Sequence, residues 1–291
     1  MAGVASSVSV DEPRSGGERR WEELLGPARD RYFAGRYRET EYAFVSGSSS
    51  GDLTYSVHLS QQPTEWHLTS IDAVVLARYA IMDTSPPDLT RWLRRSWVQS
   101  LDLRAGRQPT TDLERVRVTA QLQASSHQVT IDADVGTMHV RLGVAADEPV
   151  PACGGEVAEP VPQRSLRESP TAVPSVIEFS DQRVNAEWHF DSGLTAIDYI
   201  ATFGQLTQAI AYHHAGLRRK DAEMLWMRRI EMAGIPAPGH GRTHLRSFAQ
   251  LTRDRGHRTA RGVVHDVHVA AHATTGVWAK ASAAYIEREA R

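Results

Sequence analysis

Apolar and polar residues alternate along most of this chain, and the alternation comes in two blocks. In the first, TEYAFVSG (40–47), LTYSVHLS (53–60), ERVRVTAQLQAS (114–125) and HQVTIDADVGTMHVRLGV (127–144) repeat with a period of two. That period places successive side chains on opposite faces of a strand. The second block holds SVIEFS (175–180), RVNAEWHF (183–190), HLRSFAQLTRD (244–254), GVVHDVHVAAHATT (262–275) and GVWAKASAAYI (276–286), which read the same way. Each block is interrupted by one segment of different rhythm. LTSIDAVVLARYAIM (68–82) and LTAIDYIATFGQLTQAIAY (194–212) carry apolar residues all around a helical wheel. Such a helix is buried on every side rather than along one stripe.

The two helical segments begin alike. Leu-Thr-x-Ile-Asp opens each at an offset of 126 residues, and the tripeptide Glu-Trp-His precedes each at an offset of 122, so four residues are inserted after the second Glu-Trp-His. A repeat of this length predicts two similar lobes. Between them, residues 145–176 hold six of the fourteen prolines and few bulky apolar side chains, the composition of an extended linker. The expected organisation is a polar tail at 1–20, a first lobe at 21–147, a linker at 148–175 and a second lobe at 176–291. WEELLGPARDRYFAGRYRE (21–39) reads as a short helix or loop covering an edge of the fold. One curved antiparallel sheet wrapped around one buried helix, made twice, is an α+β double hotdog. A helix sandwiched inside a larger α/β domain would also be apolar all round.

Composition narrows the classes of function. The chain has 291 residues, 41% hydrophobic and 23% charged, with a formal net charge of -2. There is neither a basic run for nucleic acid or an anionic membrane nor an apolar run of spanning length. The first twenty residues do not read as a signal peptide, which leads to the expectation of a cytoplasmic protein. Cys153 is the sole cysteine and has no base nearby in sequence, so neither a disulfide nor a thiolate nucleophile is expected.

The repeated motif supports two readings. Thr69 with Asp72, and Thr195 with Asp198, fit capping boxes that satisfy the first-turn N–H groups of a buried helix. The same carboxylates, at the positive end of a helix, are candidates for catalysis, and the two threonines for substrate contact. His67 and His189 each end the Glu-Trp-His tripeptide shortly before a helix start, where exposed N–H groups could hold an oxyanion and an imidazole could act as general base. The bland alternative has each imidazole hydrogen-bonded to a strand backbone. Paired arginines follow the helices: Arg94 with Arg95 in LTRWLRRSWVQSLDL, and Arg228 with Arg229 in LRRKDAEMLWMRRIEM. They read as solvated surface, or as a clamp for a phosphate with Arg94 and Arg228 as its candidates. Gln205 and Gln208 lie on the second helix, where a buried amide needs a partner, and Gln205 is a candidate substrate contact. His265, His268 and His272 crowd one strand, but alternation sends the first two to opposite faces, so no metal site is expected there.

WEELLGPARDRYFAGRYRETEYAF (21–44), HLTSIDAVVLARYA (67–80) and LWMRRIEMAG (225–234) together resemble the avirulence D family of bacterial secondary-metabolite proteins. The resemblance implies synthesis of acyl-sugar lactone signals from a β-ketoacyl thioester and a sugar, and it is similar in outline to the A-factor biosynthesis hotdog proteins. It supplies no assigned catalytic residues. The expected activity is therefore transfer of a β-ketoacyl group, delivered by a carrier protein or coenzyme A, to a sugar-like hydroxyl, without a cofactor and in a form compatible with a homodimer. The alternatives are a double-hotdog dehydratase acting on a 3-hydroxyacyl thioester and a non-catalytic acyl-ligand binding protein. HFDSG (189–193) loosely echoes the dehydratases of this fold, yet Thr202 stands where polyketide dehydratases have Gln or His.

Overall fold

A computed structural model of the protein describes residues 21–48, 51–59, 67–151, 163–165, 174–223, 225–260 and 262–287, with the single residues 157 and 160. The expected tail at 1–20 lies outside the described residues. Among the described residues thirteen strands form one antiparallel sheet. The first half supplies β1 (Thr40–Gly47), β2 (Leu53–Leu59), β3 (Trp97–Arg104), β4 (Val116–Ala124), β5 (Gln128–Val135) and β6 (Met138–Ala145). The linker supplies β7 (Gln163–Ser165), and the second half supplies β8 (Pro174–Ser180), β9 (Arg183–Phe190), β10 (Trp226–Ala233), β11 (Thr243–Thr259), β12 (Gly262–Ala273) and β13 (Trp278–Glu287).

The strands lie in the order β7-β1-β2-β4-β5-β6-β3-β10-β13-β12-β11-β9-β8. From the centre outward, each half repeats one connectivity: third strand, sixth, fifth, fourth, second, first. The halves meet where β3 pairs with β10, Leu101 opposite Met232 and Leu103 opposite Ile230. Both of these strands fall within the arginine-rich segments that read as surface. Their inner faces carry buried Leu101, Leu103, Ile230 and Met232, while Arg229 stays on the outer side within 3.5 Å of Asp102. Two arginines side by side hide a short strand's period, because one of them must occupy an inward register or lie at a bulge. A bulge does fall between Met227 and Arg229.

Helix α1 (Ser70–Asp83) packs on β4, β5 and β6, and helix α3 (Ala196–Ala215) on β9, β11 and β12; the two helices also touch each other. Between α1 and β3 a short helix α2 (Pro87–Arg95) is anchored by Arg78 of α1, whose guanidinium donates to the Ser96 carbonyl at 2.8 Å and to Leu93. Burial of α1 runs from Ser70 through Ala77 without a break, in keeping with its apolar wheel.

The segment at 21–39 reaches beyond an edge: Trp21 packs on Phe179 of the edge strand β8, ring centroids 6.3 Å apart, and the rest runs over the helices. After a helical turn at 21–25 it forms three 3₁₀ turns, at Ala28–Asp30, Tyr32–Ala34 and Arg36–Glu39, which lie as a strap across both helices. Tyr32 donates to Asp72 of α1 at 2.8 Å. Arg31 donates to Gln205 of α3 at 3.1 Å, the Gln205 amide donates to the Phe33 carbonyl at 3.1 Å, and Tyr37 reaches Asp198 at 3.4 Å. Its aromatic side chains, not a hydrophobic periodicity, decide its place. Of the expected linker, Gln163–Ser165 pairs with β1 as an edge strand, Glu148 accepts from the Trp92 indole at 2.9 Å, and much of the remainder lies outside the described residues.

Candidate functional site

Each helix start is built by its own sequence. Thr69 is the N-cap of α1: its hydroxyl receives the Asp72 N–H at 3.3 Å, and Asp72 in turn receives the Thr69 N–H at 2.8 Å. Asp72 is fully buried and has a second set of donors, Tyr32 and Tyr42, each at 2.8 Å on Oδ1, while the Thr69 hydroxyl lies 2.7 Å from Oδ2. Four donors occupy the four lone-pair directions of one carboxylate. Burial raises the Asp72 pKa above its ordinary 3.8, and the hydrogen bonds from Thr69, Tyr42 and Tyr32 pull against it. The buried tyrosines are pushed well above their ordinary value by burial and by the neighbouring carboxylate.

Asp198 repeats this at α3. It accepts from the Thr195 N–H at 2.8 Å and hydroxyl at 2.7 Å, with Tyr37 at 3.4 Å on its other oxygen. Its pKa too is raised by burial, and the Tyr37 phenol is pushed up to about 12, by burial first and then by Asp198.

The two helix starts differ in what lies over them. At α3, residue 193 is packed so closely that a Cβ there would stand 1.9 Å from the carbonyl oxygen of Gly239. Only glycine fits, and the loop carrying Gly239 lies over this approach to the helix. At α1 the corresponding position, two residues before the N-cap, is His67, and a cleft of about 80 Å³ opens beside it. His67, Leu68, Thr69 and Ser70 form one wall of the cleft. Tyr32 and Phe33 of the strap, Met138, and Trp226 with Met227 of β10 supply a largely apolar interior, Gln208 of α3 adds an amide, and Asp30, Arg36 and Arg219 stand around it. The Ser70 and Ile71 N–H groups belong to the first turn of α1, where no intrahelical acceptor exists. They and the helix dipole make this wall electropositive, and Arg36 and Arg219 add to it. Arg219 donates to the Asp30 carbonyl at 3.2 Å.

Of the candidates singled out from sequence, His67 and Thr69 line this cleft. Asp72 lies directly behind Thr69, and Asp198 and Thr195 stand at the other helix start. His189 lies elsewhere. It is exposed on the outer face of β9, its ring stacked on His244 with centroids 4.7 Å apart, while its neighbour Trp188 points inward and donates to Ser247 at 2.7 Å. The four-residue insertion after the second Glu-Trp-His keeps that tripeptide inside β9 and leaves Gly193 where a histidine would face the helix start. Gln205 is consumed by Arg31 and Phe33, and Gln208, one turn further on, is the glutamine that reaches the cleft. Arg94 is exposed on α2, and Arg228 is exposed with its guanidinium 5.9 Å from the Trp226 ring centroid. Neither lines the cleft; Arg36 and Arg219 do. Nothing periodic marks these two in the sequence, since one lies in an irregular strap and the other in a short 3₁₀ turn after α3. The dense Tyr-Phe-x-x-Arg-Tyr run of the strap was the available signal.

Among the described residues no group of three or more His, Cys, Asp or Glu side chains could hold a metal ion, and no helix is long and apolar enough to cross a membrane. The model of the Pseudomonas avirulence D protein (AvrD) family matches residues 18–160, which take in the strap, His67, Thr69, Asp72 and the whole first half of the sheet. Residues 18–160, just under half of the chain, are similar to that family. The match takes in the His67–Ser70 wall, the strap residues and Met138 of the cleft, and Gln208, Arg219, Leu225, Trp226 and Met227 come from beyond it. No curated protein matches the chain. Among solved structures, a conserved protein of unknown function with a hot dog fold from Alicyclobacillus acidocaldarius aligns over 90% of this chain and 99% of its own, at 10% identity and a TM-score of 0.47. A protein described as an oleoyl thioesterase from Lactobacillus plantarum aligns over 88% and 100%, at 9% identity and 0.46. The dehydratase domain from the CurJ module of curacin polyketide synthase aligns over 84% and 96%, at 8% identity and 0.38.

Proposed function

We propose that this AvrD-related chain is a double-hotdog enzyme of secondary metabolism that transfers a β-ketoacyl group from a thioester to a sugar-like hydroxyl in the cleft at the start of α1. The observation that carries this reading is the meeting of a half-buried histidine, the start of helix α1 at Thr69 and Ser70, and a largely apolar interior in one cleft. His67 takes the proton of the acceptor hydroxyl as its oxygen attacks the thioester carbonyl. The tetrahedral oxyanion is held at the N-terminus of α1, where Ser70 lines the cleft. Collapse breaks the carbon–sulfur bond, and the departing thiolate recovers the proton from His67. Arg36 and Arg219 receive the phosphate groups of the coenzyme A or carrier arm. Asp72 acts through Thr69, fixing the geometry of the N-cap, and Asp198 does the same for α3 without touching substrate.

A dehydratase of this architecture would set a histidine of one lobe against the helix carboxylate of the other. Here the second-lobe side chain that reaches the His67 cleft from α3 is Gln208, with Asp198 held by Thr195 and Tyr37. That placement favours transfer over dehydration. Mass spectrometry of products from the purified protein with β-ketoacyl coenzyme A and a panel of sugars tests the reading. An acyl-sugar ester that disappears in His67→Ala is the expected result; an enoyl product, or none from the folded protein, would sink it.

A further inference from the structure

Behind the cleft lies a second, smaller space of about 10 Å³ between α3 and the second half of the sheet. It is lined by Ile200, Phe203, Ile230, Val269, Ala271 and Ala279 among others, almost wholly apolar. The cleft and this slot share three residues, Phe33, Ser70 and Met227. Phe33 is the one of the three that reaches them from the strap. Its ring lies on α3 at Gly204, where an added Cβ would stand 3.2 to 3.3 Å from three ring atoms. A glycine inside a helix costs about 1 kcal/mol relative to alanine, so the sequence gives up helix stability at the point where this ring must lie flat. The strap backbone is held there by the Gln205 amide on the Phe33 carbonyl and by Arg31 on Gln205.

Resting on the reading of the cleft as an acyl-thioester site, we propose that Phe33 is its chain-length gauge: the ring closes the acyl end of the cleft, and the apolar slot behind it is the room for a longer tail. With the ring in place the slot is too small to hold more than about one water, so the wild-type cleft takes a short acyl tail. Removing the ring joins the two spaces along α3. Each further methylene that enters gains roughly fourfold in affinity, the equivalent of burying one CH₂.

The test is calorimetric titration of β-ketoacyl coenzyme A thioesters of increasing chain length into wild type, Phe33→Ala and Phe33→Ala/Ala271→Leu, each first shown to be folded by circular dichroism. In wild type, affinity should stop rising at a short chain. In Phe33→Ala it should go on rising by roughly fourfold per methylene, to a gain of about tenfold or more for longer thioesters, and the double variant should lose this gain because the introduced leucine fills the slot. Should Phe33→Ala not fold, Phe33→Leu keeps much of the contact with α3 while shortening the plug, and its optimum should move in the same direction. A chain-length profile unchanged in the folded variant, with short thioesters still bound, overturns the gauge and leaves the cleft reading standing. A folded wild type that binds no thioester overturns both.

Discussion

His67 and His189 follow the same Glu-Trp pair, yet the residues after them decide what each imidazole meets. His67 is two positions from an N-cap and lies half-buried in a cleft; His189 is six positions from its N-cap, on the outer face of a strand. His67→Ala should lower turnover by roughly 100- to 10,000-fold and leave the melting temperature nearly unchanged. His189→Ala should leave turnover unchanged and stability within about 0.5 kcal/mol, as for other exposed positions. Steady-state kinetics and thermal denaturation of the two variants check both. Arg36→Ala and Arg219→Ala should raise KM for a coenzyme A thioester with little change in kcat, because their charge is remote from the carbonyl carbon. At this scale the sequence was half legible. Leu-Thr-x-Ile-Asp announced both caps through its own spacing, whereas the partners of a cap, Tyr32, Tyr42 and Tyr37, are brought from 40, 30 and 161 residues away and leave no local pattern.

At the scale of elements, the two helix starts are polar knots in an apolar core. Asp72→Ala would leave the Thr69 N–H and two phenols without an acceptor, at about 1–3 kcal/mol for each buried donor. Asp72→Asn should cost much less, since its oxygen can still receive the Thr69 N–H while its amide donates to the phenol oxygens. Burial lifts the Asp72 and Asp198 pKa values above 3.8 in the folded protein. Between the ordinary value and the raised one, the native state holds more protons than the unfolded chain, so stability falls as pH rises through that window. The contribution is fully present below the ordinary value. Urea midpoints measured across acid pH should show this slope, and Asp72→Asn should flatten it. Asp198→Asn should fold and remain active. The alternating strands were readable from a period of two, because one face of each is buried. β3 and β10 were not: a strand at the centre of the sheet with charged outer positions and a bulge breaks the period over its eight residues.

In the whole molecule the described residues join the two halves through the sheet, the helices and the strap. The sheet continues across β3 and β10, the helices touch, and the strap is hydrogen-bonded to both. Unfolding should therefore be one cooperative event, with calorimetric and van't Hoff enthalpies in agreement; two resolved transitions would mean that the strap and the central strand pair couple the halves too weakly to matter. The strap also has a consequence in time. Arg31 and its partner Gln205 are 174 residues apart. A ribosome adding about 5–20 residues per second needs roughly 10–35 s to go from one to the other. Throughout that interval the nascent strap, with its arginine and tyrosines, has only the first half of the molecule to lean on. Its final seat does not exist until α3 emerges, so the cleft that His67 lines can close only after α3 and β10 have been made, and a chain truncated before α3 would carry its histidine without a site.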